Sequence, residues 1–371
     1  MMDITWNFLV SFFFGILLWP TVFSSELQCK DENNKPVDWF VAIKLPHLKS
    51  SKDLNVREGV AYVFITSESI TRNWTLSTRN VRDSNSIMGN TLKPLYSDQV
   101  SNFARILYND EPPHGDTTMT LGHTKGVAFG DRESGLWLIH SVPHYPPEAS
   151  NNEYSYPNTG VIYGQSFLCV TVPPKGLETI GQQLTYNEPN IYDAEVPDTM
   201  NLSYPWFAKA ANGERVKSAP WFKSAQFSSY GGQSFISYAK SKHFGKDLYA
   251  DWLAQDLKTN LLVETWNHGP GSKMQSECGK PYKVENVEGL SLDSLSFRTG
   301  EDHSKWAVSS GDEKPWVCIG DINRMEHQRQ RGGGTVCLED SRLYHAYHDS
   351  VISLDVCPAS IVFLPNNTTR E

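Results

Sequence analysis

Short runs that alternate apolar and polar residues, or that string β-branched and aromatic side chains together, recur along most of the chain. Residues 37–45 (VDWFVAIKL) and 60–66 (VAYVFIT) predict strands. Residues 97–108 place Val100, Phe103, Ala104 and Leu107 on one face behind Ser97 or Asp98, which predicts a helix. Residues 161–172 predict a strand pair, and residues 174–184 a helix with Pro174 near its start. From about 187 to 220 the chain is rich in Pro, Asn and Tyr with little period, which suits a connection between halves. Beyond it, residues 226–240 are strand-like. Residues 247–257 are amphipathic, with Leu248, Trp252, Leu253 and Leu257 inward. Residues 261–266 form a strand, and 341–354 a closing helix.

Two further stretches repeat one another. After His123-Thr124-Lys125 come GVAF, the turn GDRESG and the return LWLIHS; after His303-Ser304-Lys305 come WAVS, SGDEKP and WVCIGD. Trp137 and Trp316, on the returning strands, lie 14 and 13 residues beyond their histidines. The tripeptide alone carries little, since roughly half a His-x-Lys match is expected by chance. A third copy, His47-Leu48-Lys49, has no return strand and reads as accidental. Shared context makes the other two a pair of matched hairpins, one per half, which a pseudo-twofold arrangement would bring to one interface.

At 371 residues the chain is long enough for two domains or one duplicated domain, and 39% apolar content is ample for a core. Residues 1–25 stand apart: an apolar run from Trp6 to Trp19, then Pro20 and the small pair Ser24-Ser25, fit a cleaved signal peptide and are short for a membrane span. The halves are then 26–200 and 201–371, with no stable membrane association after cleavage. The six cysteines (Cys29, Cys169, Cys278, Cys318, Cys337, Cys357) follow that segment, favouring three disulfides with 15 pairings open. None forms a Cys-x-x-Cys pair, so no metal site is expected. Glycosylation triplets at Asn73, Asn201, Asn366 and Asn367 fit secretory traffic, with at most one of the last two used.

A net charge of −9 argues against capture of a polyanion at neutral pH. Protonating all 11 histidines would bring it to +2, so a nucleic-acid substrate implies an acidic compartment. The paired motifs supply the chemistry. Lys125 and Lys305 would neutralise the non-bridging oxygens of a phosphodiester. One neutral histidine would attack phosphorus, while the other, protonated, would donate to the departing oxygen and later activate water. Neither a metal ion nor another cofactor is required.

Successive blocks, among them 37–46, 107–113, 122–127 (GHTKGV), 140–147 (HSVPHYPP), 163–170 (YGQSFLCV), 301–306 (EDHSKW), 320–324 (GDINR) and 330–335 (QRGGGT), resemble those of the deoxyribonuclease II family over about residues 27–357. The resemblance implies an α/β fold of the phospholipase D-like type: a pseudo-dimer of two mixed β-sheets flanked by helices, with one His-x-Lys hairpin in each half. It also implies metal-independent endonucleolytic cleavage of double-stranded DNA at acid pH, through a phosphohistidine, to 3′-phosphate and 5′-hydroxyl ends. It places the protein in the lysosome or outside the cell, clearing DNA from dead or engulfed cells, and is compatible with a homodimer clamping duplex DNA.

The family's motif residues fall on His123, Lys125, His303 and Lys305, and its disulfides on Cys29–Cys169, Cys278–Cys357 and Cys318–Cys337. The sequence does not show which histidine is the nucleophile; analogy with the fold favours His123. The aspartate of the wider phospholipase D pattern is not at its expected spacing, and Asp131 and Asp312 lie in turns. His140, Asp321 and Asn323, closing the return strands, could orient an imidazole or hold a phosphate oxygen. Arg331 with Gly332, Gly333 and Gly334 could bring backbone N–H groups to phosphate. Two other readings remain: a phosphodiesterase or exonuclease of the same fold on another substrate, and a secreted binding glycoprotein without activity. The intact His and Lys set speaks against the second, and the lack of an added lipid-facing segment against lipid as substrate.

Overall fold

The structure is a computed structural model that describes residues 27–266 and 271–357, so the signal-like segment and Asn366 and Asn367 lie outside the described residues. Five strands form the centre of a first sheet: β1 (Trp39–Lys44), β2 (Ala104–Asn109), β3 (Lys125–Gly130), β4 (Gly135–His140) and β5 (Gln165–Val172). Five more form the centre of a second: β6 (Ser234–Lys240), β7 (Leu261–Glu264), β8 (Trp306–Ser309), β9 (Trp316–Gly320) and β10 (Gly333–Glu339). Side by side, the first set runs β1-β5-β4-β3-β2 and the second β6-β10-β9-β8-β7, every neighbour antiparallel. The two sheets therefore repeat one order and one set of directions.

Edge strands differ. Tyr62–Thr66 and Thr75–Leu76 extend the first sheet beyond β1, and Ile191–Glu195 extends it beyond β2. In the second, Phe222–Ser228 pairs with β6, and Val284–Leu292 runs parallel to β7 and carries Leu295–Arg298 and Val351–Asp355. The central strands β1, β3, β4, β5 and β8 are buried on both faces, which explains why their apolar runs hardly alternate. In β1, Trp39, Val41 and Ile43 enter a core that both sheets share with Trp306, Val308 and Val317. Phe40 and Ala42 face the opposite side, over Cys29 and Cys169. Helix α1 (Pro174–Asn187) supplies Leu177, Ile180 and Leu184 to the shared core. Gly181 lets Pro205–Ala211 approach it, because a Cβ there would meet the Phe207 backbone nitrogen at 2.4 Å.

The disulfides are Cys29–Cys169, Cys278–Cys357 and Cys318–Cys337, the last directly across β9 and β10. Cys169 and Cys337 hold the same place in β5 and β10, so one position of the repeat is cross-linked differently in each half.

Several sequence expectations give way to pairing across the sheet. Residues 97–108 are not a helix: a 3₁₀ turn at Val100–Asn102 leads into β2, whose backbone is taken by β3 and Ile191–Glu195. The helical face was a by-product of a strand buried on both sides. Residues 161–172 give one strand, β5, rather than two. The expected connection at 187–220 contains an edge strand and the helix Pro205–Ala211. Residues 247–257 start as a π-helical turn, Tyr249–Leu253, before Ala254–Leu257, with Leu248, Leu253 and Leu257 buried. The last helix, α2 (Ser341–His348), stops at Asp349, and Val351–Asp355 returns as a strand.

Candidate active site

Both His-x-Lys motifs sit at the mouth of a hairpin, with Lys125 opening β3 and Lys305 immediately preceding β8. Each histidine is held by the other half. The His123 amide donates to the Gly332 carbonyl at 2.9 Å, and its Nδ1 lies 2.6 Å from the carbonyl oxygen of Asp321, just past β9. The His303 amide donates to the Gly164 carbonyl at 2.9 Å, and its Nδ1 lies 3.0 Å from the carbonyl oxygen of Ser141, just past β4. Gln165 Oε1 stands 3.2 Å from the same nitrogen. A carbonyl can only accept, so Nδ1 carries a proton in both rings and Nε2 is left to react. The two return strands thus fix the imidazoles reciprocally.

The lysines are buried beside them. Lys125 forms an ion pair with Asp110 and reaches Glu111 at 3.9 Å. Asp110 also takes Arg331 Nη2 at 3.2 Å, so three charged groups from both halves meet behind His123. Burial would raise the Asp110 carboxyl, but Lys125, His123 and Arg331 hold it well below the usual range. The Lys305 ammonium donates to the His303 carbonyl, and burial, then the charge of Lys125, pulls it well below an ordinary lysine. Both imidazoles are depressed, first by burial. For His123 the next influence is Asp110, which opposes the shift; for His303 it is Lys305, followed by Lys125 and His123, all of which add to it.

The supporting residues divide. Asp321 orients His123, but through its backbone carbonyl; its carboxyl accepts from Thr124 Oγ1 and, at 2.8 Å, from the Gly334 amide. Burial pushes that carboxyl up to about 7. His140 bonds neither motif histidine. Its Nδ1 accepts from the Val142 amide at 3.1 Å and its ring packs edge-on against Tyr145. Asn323 is buried with its Oδ1 unpartnered, and it holds no imidazole. Gly332 to Gly334 form no open nest. A Cβ on Gly334 would strike the Tyr238 carbonyl at 2.1 Å, so these glycines serve close strand packing. Arg331 spends its donors on Asp110, Leu121 and Thr118. Asp131 accepts from the Glu133 and Ser134 amides in the hairpin turn, and His47 bonds through its backbone to the Ile162 carbonyl.

Sequence reasoning missed four residues at equivalent places of the two sheets, one pair alike and one pair different. Lys44 in β1 and Lys240 in β6 lie level with Gln165 and Gly333 on their neighbouring strands, and both are fully buried. Lys44 donates to the Val161 carbonyl at 2.7 Å and Lys240 to the Gln328 carbonyl at 3.0 Å, tying down the segments that carry Gly164 and Gly332. Burial lowers both, Lys240 to about 8. Asp110 and Trp266 were missed as well, because only strand register pairs them. Among the described residues no group of three or more His, Cys, Asp or Glu could hold a metal ion.

Two imidazoles with free Nε2 atoms and two buried lysines, contributed by repeated halves, define a centre equipped for phosphoryl transfer. The family model for deoxyribonuclease II matches residues 28–357, so the chain belongs to the deoxyribonuclease II family. It is similar to plancitoxin-1 of Acanthaster planci, 38% identical over 340 residues that cover 90% of this chain and 93% of that one. Deoxyribonuclease-2-alpha of Rattus norvegicus is 38% identical over 353 residues, 94% of this chain and 99% of that one. Cell-death-related nuclease 7 of Caenorhabditis elegans is 33% identical, covering 94% of each.

Proposed function

We propose that this protein is a metal-independent acid endonuclease that cuts double-stranded DNA, with one histidine and one lysine of the centre drawn from each half. The observation that carries this is the reciprocal hold on the two imidazoles, which leaves both Nε2 atoms free beside paired buried cations. In the first step a neutral Nε2 attacks phosphorus, the P–O5′ bond breaks, and the second imidazolium gives its proton to O5′. The products are a 3′-phosphohistidine and a 5′-hydroxyl. In the second step the now neutral second imidazole takes a proton from water, whose oxygen displaces the first histidine and leaves a 3′-phosphate.

The charges distinguish the roles. The negative charge of Asp110 favours the protonated form of His123 without bonding its ring, whereas the charges that act most on His303 are all cationic. His123 is thus the acid and His303 the nucleophile, the reverse of the order that analogy suggests. Because burial depresses both rings, the acid is charged only at low pH, which agrees with a chain whose net charge of −9 repels DNA at neutrality.

The halves 26–200 and 201–371 are read as a phospholipase D-like pseudo-dimer, supported by the strand order common to both sheets. Delivery to the lysosome or the exterior is supported by the signal-like N-terminus, three disulfides and exposed Asn73 and Asn201. Degradation of DNA from dying cells is the corresponding role, in keeping with the nematode relative's name. Plasmid nicking at about pH 5 in EDTA tests the reading: His123→Ala and His303→Ala should each lose at least about a hundredfold in rate. Undiminished cutting by either variant, or a strict need for added metal, would overturn it.

A further inference from the structure

The repeat is broken at one pair of positions beside the histidines. Gly164 and Gly332 correspond, because each carbonyl accepts the amide of the opposite motif histidine, so the residues before them, Tyr163 and Arg331, correspond too. Across β2 and β3 Asn109 pairs with Lys125, and across β7 and β8 Glu264 pairs with Trp306. Lys305 is therefore level with Thr265 as Lys125 is with Asn109, and the next residues, Asp110 and Trp266, correspond. Beside His123 these places hold an ion pair, Arg331 to Asp110 at 3.2 Å. Beside His303 they hold two rings, Tyr163 and Trp266, with centroids 4.6 Å apart and planes at 59°. Trp266 in turn stands edge-on to the His303 imidazole, centroids 5.4 Å apart.

The two pairs differ in what they offer a ligand. Arg331 is 4% exposed and its guanidinium is committed to protein acceptors. Tyr163 is 36% exposed, beside Ile162 at 57%. An open aromatic ring held next to a nucleophile suits the π face that every nucleobase has. We propose that Tyr163, braced by Trp266, is a nucleobase subsite that stacks the base on one side of the scissile phosphate. The buried ion pair closes the equivalent place on the other side, so the subsite sets the direction in which a DNA strand crosses a nearly twofold centre. Stacking makes no use of base edges, so the subsite would accept any base.

This inference rests on the DNA-cleaving reading, and kinetics on defined duplexes can separate the two. One phosphodiester is left cleavable among methylphosphonates, and the nucleotide on its 5′ or its 3′ side is replaced by an abasic tetrahydrofuran. Wild type should show KM raised about tenfold or more by the abasic nucleotide on one side only. Tyr163→Ala should raise KM comparably on the fully based duplex, with kcat less affected and no further loss on the abasic one, and Tyr163→Phe should restore wild-type values. Equal losses on both sides, or a Tyr163→Ala defect that is the same with and without the base, would overturn the subsite alone. A wild type that leaves the fully based duplex uncut would overturn the nuclease reading and the subsite with it.

Discussion

Asp110 with Arg331 and Trp266 with Tyr163 occupy the same two positions of a repeated scaffold and do opposite things. The first pair is buried, charged and joined to Lys125, so it fixes the electrostatics around His123. The second is aromatic and partly open, so it leaves His303 among cations and beside a surface. Two sheets of one strand order present two matching histidines, because one way of holding an imidazole serves twice. The proposed mechanism needs those histidines to differ in protonation, and the residues that would make them differ lie outside the repeat's common pattern.

The comparison can be broken most forcefully at its charged member. Asp110→Ala leaves Lys125 and Arg331 buried without their carboxylate and should cost about 3–5 kcal/mol in denaturant unfolding. Tyr163→Ala, at a half-open ring, should cost less than about 1 kcal/mol in the same assay. Equal losses would mean that the pairs are interchangeable packing.

Activity should sharpen the contrast. Wild-type cleavage should fall as pH rises from about 5 to about 7, because the imidazolium of the acid loses its proton through a depressed pKa. Asp110→Asn removes the influence that opposes this depression, so it should move the alkaline limb of the profile to lower pH. Movement of the acidic limb instead would identify His123 as the group that must be neutral. A smaller effect concerns Asp321. Its carboxyl, raised to about 7, binds its proton more tightly in the folded chain than in the unfolded one. The resulting stabilisation is complete below the ordinary carboxylate range and is lost as pH rises through about 7. Melting of Asp321→Asn relative to wild type should therefore shift in the variant's favour between about pH 4 and pH 8; a constant difference would place the carboxyl in the usual range.

The hairpins were legible because alternation, a polar turn and a tryptophan recur at nearly the same spacing after each motif, and α1 because its apolar period is long and uninterrupted. β2 was not, since a strand buried on both faces has no period to separate it from a short helix. The motif side chains were legible, but what orients them was not: the partners are backbone carbonyls of Ser141 and Asp321, and a carbonyl has no signature in sequence. His140 misled because a strand-end histidine looks poised for a site, whereas this one turns into an aromatic cluster. Asp110 and Tyr163 were in view within family-like blocks. Their meaning depended on strand register, which pairs Asp110 with Trp266 and Tyr163 with Arg331.

The central claim, that one histidine from each half performs a distinct step, is tested most directly with DNA carrying a bridging 5′-sulfur at the cut. A thiolate leaves without protonation, so the acid becomes dispensable while the nucleophile does not. Single-turnover cleavage of this substrate should be restored in His123→Ala to near the wild-type rate and remain absent in His303→Ala. Restoration in His303→Ala alone would contradict the assigned roles, and restoration in both or neither would contradict the division of labour itself.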